Sequence, residues 1–365
     1  MARAFAACCL LLAFAGTSAA GDAAPAEAKD HDKWQSLVEH LEGRGWQNTP
    51  SPFARLPVTA QAAAPKSVWS LSGNSAGLCA HFVTDASSFK VRWTLTSTNL
   101  AMPHMPATGV SGVDLYAREA NAGTGAAGGW TWIANGRPGG ATNTASFGGL
   151  PGKPSECLLY LPLYNGVSAL EISLPAGATL QPVPVKADRA KPIVFYGTSI
   201  TQGGCASRPG LAYTSLIGRR LDWPVVNLGF SGSGKMELEM AQIIAELDAR
   251  ILVIDCLWNM SPEQVDERVE PFIQVVRKKH PDTPIVLVED STVRARTPTT
   301  KGARLKAICD KLSPADKNLH FLSAKDLLGT DAEGTVDGCH PNDIGMLRHA
   351  DAMTPVLRKI LGLPQ

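Results

Sequence analysis

The residues able to do chemistry lie in four loops of the second half of the chain. Ser199 sits in the small-residue turn Gly197-Thr198-Ser199-Ile200, directly after the apolar run Ile193 to Tyr196. A short apolar run bounded by glycine reads as a buried parallel strand, and open α/β sheets place their chemistry just beyond the carboxyl ends of their strands. Ser199 is therefore a candidate nucleophile, although such a turn can also serve only to reverse the chain. Three further loops carry Asn227-Leu228-Gly229-Phe230-Ser231-Gly232, Asn259 within the stretch Asp255 to Met260, and Asp337-Gly338-Cys339-His340-Pro341. A serine that attacks an acyl carbon needs a base to take its proton, an acid to orient that base, and donors aimed at the developing oxyanion. Those residue types are present in these loops.

The elements that must position them follow from periodicity. After Lys191, strand-like runs at Ile193 to Tyr196, Val225 to Leu228, Ile251 to Asp255, Ile285 to Val288 and Leu319 to Leu322 alternate with helical segments near Leu211 to Leu221, Met236 to Leu247, Pro262 to Lys279, Gly302 to Leu312 and Asp343 to Leu361. Strand and helix alternating five times predict an α/β unit: a flavodoxin-like, doubly wound parallel sheet with helices on both faces. Upstream, short β-rich runs at Val68 to Leu71, Leu78 to Thr84, Phe89 to Thr96, Val113 to Arg118, Trp130 to Ala134, Cys157 to Tyr164 and Leu170 to Leu174 are separated by Gly, Asn and Pro. Period-two alternation, as in Phe89, Val91, Trp93 and Leu95, predicts an antiparallel β-sandwich. Trp34 to Leu41 has the spacing of a short amphipathic helix. The expected organisation is thus a signal peptide (1–20), a tether and short helix (21–50), a β-sandwich domain (51–187) and a catalytic domain (190–365).

This set of loops, in this order, resembles the SGNH or GDSL-like hydrolases, and the resemblance covers the whole second domain. It implies that Ser199 is the nucleophile, that Asp337 and His340 complete the triad, and that the oxyanion is held by the backbone N–H groups of Ser199 and Gly232 and the side chain of Asn259. Gly229 is the alternative to Gly232, better suited to backbone geometry. Two departures stand out: Thr198 replaces the family's frequent Asp, and Leu257 and Met260 flank Trp258-Asn259 where Gly-x-Asn-Asp is usual. In the first half, Gly112-Val113-Asp114-Leu115-Tyr116 resembles the Gly-x-Asp-Leu-Tyr motif of a small domain fused ahead of a subset of these hydrolases. Together they imply a serine esterase of the carbohydrate-deacetylating kind, acting without metal or cofactor. A lipase or arylesterase is the alternative within enzymes, and a non-catalytic glycan-binding protein the alternative outside them.

Composition sets the remaining bounds. The chain has 365 residues, 44% hydrophobic and 18% charged. Arg3, the apolar stretch from Ala4 to Ala15 and the small residues Thr17 to Ala20 match a secretory signal peptide, too short to span a bilayer. Cys8 and Cys9 precede most of that stretch, the wrong place for a lipid-modified cysteine. Removing residues 1–20 takes away Arg3 and leaves 33 basic against 33 acidic residues, which argues against nucleic acid or anionic membranes as partners. A secreted or periplasmic protein acting on a small-molecule or glycan ester is expected. Trp258 could wall the acyl pocket, Arg208 could meet substrate, and Trp130 with Trp132 could stack on a sugar, though packing in the sandwich core is the stronger reading for that pair. Cys205 could bridge to Cys256 or Cys339. The run Gly229 to Gly234 mimics a dinucleotide fingerprint, but its glycine order is reversed.

Overall fold

The computed structural model describes residues 33–120, 129–184, 186–293 and 298–364; the expected signal peptide and residues 21–32 of the expected tether lie outside them. The five apolar runs after Lys191 form one parallel sheet, numbered after the ten strands that precede it: β11 (Ile193–Gly197), β12 (Val225–Gly229), β13 (Ile251–Asp255), β14 (Ile285–Val288) and β15 (Leu319–Leu322). Their order is β12-β11-β13-β14-β15, the flavodoxin-like order 2-1-3-4-5. Period-two alternation sends the residues of one strand into two cores. Val194 and Tyr196 pack with α5 (Leu238–Ile244), α6 (Pro262–Lys279) and α7 (Thr300–Leu312). Ile193 and Phe195 pack with α4 (Tyr213–Leu221) and α8 (Asp343–Leu361) on the other face.

The first half is built from antiparallel strands: β1 (Trp34–Ser36), β2 (Leu41–Glu42), β3 (Cys79–Thr84), β4 (Phe89–Leu95), β5 (Val113–Glu119), β6 (Thr131–Gly136), β7 (Thr142–Phe147), β8 (Ser155–Tyr160), β9 (Val167–Ser173) and β10 (Leu180–Pro182). One sheet has the order β1-β9-β4-β7; the other runs β10-β3-β8-β5-β6, with β2 also on β3. They share one core, in which Phe82 of β3 meets Phe89 of β4 edge to face, with centroids 5.8 Å apart.

Two local readings are corrected. Trp34 to Leu41 is not a helix: Trp34–Ser36 pairs with β9, and Val38–His40 is a single 3-10 turn, because an open strand edge outweighs a weak helical spacing. Val68 to Leu71 lies inside a helix, α1 (Lys66–Leu71), begun by Pro65; an apolar run this short has no period of its own. Strand β7 was not signalled, since it is mostly polar (TNTASF) and is held by its pairing with β4.

The Gly-x-Asp-Leu-Tyr segment now has a physical reading. Alternation along β5 turns Val113 and Leu115 into the β-core, while Asp114 and Tyr116 face the hydrolase half. Asp114, fully buried, accepts from Gly210 N at 2.9 Å, Arg208 Nη1 at 2.7 Å and Trp132 Nε1 at 2.7 Å. A Cβ on Gly112 would lie 2.4 Å from the Thr108 carbonyl oxygen, so only glycine fits there.

Candidate active site

Strand β11 ends at Gly197 and the chain turns at once into a one-turn helix, α3 (Ser199–Gln202). Thr198 caps it, its hydroxyl accepting from Ile200 N at 3.2 Å. An aspartate would play the same capping role, so the departure at this position keeps the local structure. Ser199 is thereby the first residue of the helix, 7% exposed, with its own N–H among those a helix start leaves without an intrahelical acceptor. Gly203, at φ +104°, then turns the chain away.

His340 Nε2 lies 2.9 Å from Ser199 Oγ, across 141 residues of sequence. Its Nδ1 is 2.7 Å from Asp337 Oδ2. The other carboxylate oxygen accepts from the backbone N–H groups of His340 (2.7 Å) and Cys339 (2.9 Å). Partial burial raises the Asp337 pKa, but these hydrogen bonds outweigh it and hold the group below the usual carboxylate range. A bridge between Thr335 and Pro341 closes the loop, and Gly338, at φ +89°, supplies the left-handed turn that brings Asp337 back under the imidazole.

The loop after β12 is packed against the strand that leads into Ser199: Phe230 N donates to Gly197 O at 3.0 Å, and a Cβ on Gly234 would lie 2.1 Å from that same oxygen. Within it the two candidate glycines differ. Gly229 N donates to Asn227 Oδ1 at 2.9 Å, and a Cβ on Gly229 would meet Gln202 N at 2.1 Å. Gly232 is exposed at φ +68°, and its N–H has no partner among the described residues. Asn259 ends a 3-10 turn after β13 and donates from Nδ2 to Ser233 O at 2.5 Å; the amide has a second N–H.

Several residues that sequence reading passed over hold this loop in place. Arg55, only 2% exposed, donates to the carbonyls of Gly229 (2.6 Å), Asn227 (3.2 Å), Leu71 (2.8 Å) and Asn74 (2.9 Å). Burial lowers its pKa to about 9, which still leaves it charged at neutral pH. Gln202 accepts from Ser231 N at 2.9 Å and donates to Leu163 O at 3.0 Å. The first half also reaches the Ser199–His340 pair, where the ring of His104 stands 5.8 Å from that of His340 and Tyr164 donates to Ser199 O at 3.2 Å. No local signal marks these residues, because the contacts that hold the loop and Ser199 span at least 29 positions.

Other candidates are engaged elsewhere. Besides Asp114, Arg208 bonds Tyr116 Oη at 2.5 Å and lies over the Trp132 ring, so its guanidinium ties β5 and β6 to the loop after the nucleophile. Trp132 is 45% exposed and Trp130 packs beneath Arg118; neither enters the core between the two sheets, which corrects the packing expectation. Trp258 packs partly buried beside Asn259, with Lys301 Nζ 5.4 Å from its ring. Cys205, Cys256 and Cys339 are free thiols, and no bridge joins them. Asp337, Cys339 and His340 each place a potential metal-ligand atom within 4.8 Å of the others. Both His340 nitrogens are already engaged by Ser199 and Asp337, so a metal there would have to displace those hydrogen bonds. No helix among the described residues is long and apolar enough to cross a membrane.

With this geometry in view, the comparisons are consistent across the chain. The sequence model of the GDSL-like lipase/acylhydrolase family matches residues 190–358, and that of the GxDLY N-terminal domain of SGNH-type esterases matches residues 31–180. No curated protein matches. Among solved structures, a Bacteroides ovatus ATCC 8483 protein assigned as a GDSL-like lipase is 33% identical over 91% of this chain and 98% of its own, with a TM-score of 0.82. A salicylyl-acyltransferase from a tetracycline biosynthetic pathway (21% identity, 90% and 97% covered, TM-score 0.71) shares the fold. So does a family two carbohydrate esterase from Clostridium thermocellum, solved with cellohexaose (14% identity, 79% and 93% covered, TM-score 0.59).

Proposed function

The chain belongs to the GDSL-like lipase/acylhydrolase family and is a carboxylic ester hydrolase, and from that premise we propose that it is an exported serine esterase removing small acyl groups, acetyl first among them, from carbohydrate hydroxyls. The observation that carries the reading is the continuous chain from Ser199 Oγ to His340 Nε2 (2.9 Å) and from His340 Nδ1 to Asp337 (2.7 Å). In this mechanism Ser199 Oγ attacks the ester carbonyl carbon as His340 Nε2 takes its proton. The tetrahedral oxyanion is held by the N–H groups of Ser199 and Gly232 and by Asn259. Collapse breaks the C–O bond, and the His340 proton goes to the departing alcohol. Water, activated by the same imidazole, then frees the acyl group from Ser199. Asp337 keeps Nδ1 protonated and stabilises the imidazolium between these transfers.

Two further observations support the small-acyl and carbohydrate parts. Tyr164 and Trp258 are partly buried rings at the edge of the core beneath the nucleophile, suited to bounding a short acyl slot. The carbohydrate esterase with the same fold was solved with cellohexaose. Export rests on residues 1–20.

Hydrolysis should be measured on p-nitrophenyl esters of rising chain length and on acetylated glycans, with wild type and Ser199→Ala. Loss of at least about 10³-fold in kcat is expected for the variant, with acetyl preferred by wild type. Undiminished turnover by Ser199→Ala would sink the mechanism, while preference for long chains would favour the lipase reading.

A further inference from the structure

A cavity of about 370 Å³ lies between the two halves at the amino ends of β11 and β12, and none of Ser199, Gly232, Asn259, Asp337 or His340 lines it. Its walls come from residues 41–47, from β3, β5 and β8, from Val183, Pro184 and residues 186–192, and from α4. Six basic side chains line it (Arg44, His81, Arg118, Lys186, Arg189, Arg219) against three acids. Those acids are already matched. Glu156 is paired by Arg118 at 2.8 Å and His81 at 2.7 Å, Asp222 by Arg118 at 2.8 Å, Lys186 at 3.0 Å and Arg189, and Glu42 by His81 at 2.8 Å. Burial alone would lower the His81 pKa, but its bonds to Glu156 and Glu42 raise it to about 9 and keep the ring cationic.

What remains is an excess of buried cationic donors. Arg44 Nε, Arg189 Nε and Arg219 Nη1 are buried without a hydrogen-bond partner among the described residues, and all three residues line this cavity. Arg189 Nε lies 3.8 Å from the exposed Asp188 carboxylate, too far for a hydrogen bond. Arg219 is 6% exposed; its guanidinium stacks 3.7 Å over Tyr116 and donates from Nη2 to Gly210 O at 2.7 Å, leaving Nη1 unused. Buried charged donors are unfavourable without an acceptor. The cavity wall thus carries three more basic than acidic side chains, a charge excess that an anion from outside the chain would balance.

We propose that this cavity is a second binding site, distinct from the triad, for a small organic anion: its carboxylate or phosphate is held by Arg219 and Arg44, and its ring or apolar body rests on Leu158, Tyr160 and Val183. A guanidinium fork suits a two-oxygen anion, and a site with an apolar floor and a few convergent polar groups is how proteins hold small ligands. The site is independent of whether Ser199 is catalytic.

Calorimetric titration of Ser199→Ala with benzoate, glucuronate, phosphate and the neutral benzyl alcohol tests this, the three anions separating an apolar acid, a sugar acid and a phosphate as the source. At least one anion is expected to bind with one site per chain, at least tenfold tighter than benzyl alcohol. Arg44→Met and Arg219→Met should each weaken it at least tenfold. Arg44→Met should leave hydrolysis of p-nitrophenyl acetate unchanged in the Ser199 background. Arg44 sits at the less buried side of the cavity, so its variant decides the matter if Arg219→Met does not fold. The proposal is overturned if no anion binds, if benzyl alcohol binds as well, or if anion binding survives Arg44→Met but is lost in His340→Ala.

Discussion

At the scale of single residues, the proposed triad and its proposed donors make separable demands. In the proposed mechanism Asn259→Ala removes one oxyanion donor and should lower kcat by about 10²–10³-fold with little change in KM, since the interaction strengthens only as charge develops on oxygen; steady-state kinetics on an acetyl ester would show this. Asp337→Asn keeps the shape but favours the wrong imidazole tautomer, and should cost about 10⁴-fold in kcat. Below the nucleophile, Asp255 carries a different burden. It is buried and accepts from Tyr213 Oη at 3.0 Å and Thr201 Oγ1 at 3.2 Å. Burial, with Asp290 nearby, raises its pKa from 3.8 to about 6 despite those bonds. The folded state therefore holds this proton more tightly than the unfolded chain, and stability falls as pH rises from about 4 to about 6, then loses no more from this group. Asp255→Asn keeps an acceptor for both hydroxyls without the charge. Its melting temperature relative to wild type should rise between pH 4 and pH 7; an unchanged or falling difference would refute the role given to burial.

The elements explain why those residues meet. Helix α3 needs its Thr198 cap, and the loop after β12 needs Arg55, whose planar fork reaches four carbonyls on two segments. A lysine has no such fork. Arg55→Lys and Arg55→Met are both expected to lower kcat more than they raise KM, because the Gly232 N–H loses its fixed direction, and both should lower the melting temperature. Strand β5 works by alternation, with one face in the β-core and the other pinned on Arg208 and Gly210. Asp114→Ala leaves Arg208 without its buried partner and should cost about 3–5 kcal/mol, read from urea denaturation. Neither the family-typical Asp nor the usual Gly-x-Asn-Asp is needed for these elements to form: a threonine caps as an aspartate would, and a 3-10 turn carries Asn259.

For the whole molecule, Arg55, Asp114, Tyr164 and the cavity walls tie the β-rich half to the hydrolase half through buried polar contacts. Calorimetry should accordingly show one unfolding transition for residues 33–364, and two well-separated peaks would contradict that coupling. The same ties mark the limit of what could be read from sequence. Strand and helix in the second half were legible because their spacing follows the local periods of two and 3.6 residues, and the sheet's ends then placed Ser199, Asn259, Asp337 and His340 on one edge. Short apolar stretches such as Val68 to Leu71 and polar strands such as Thr142–Phe147 carry no such period, so their structure came from pairing. Sequence also left Gly229 and Gly232 both open, allowed Arg208 a place at the substrate, and was silent on His104 and Arg55. Only packing settled where these residues sit, because a hydrogen bond between positions 55 and 229 or a ring contact between 104 and 340 depends on how separate elements meet, and nothing in the local order of residues encodes that distance.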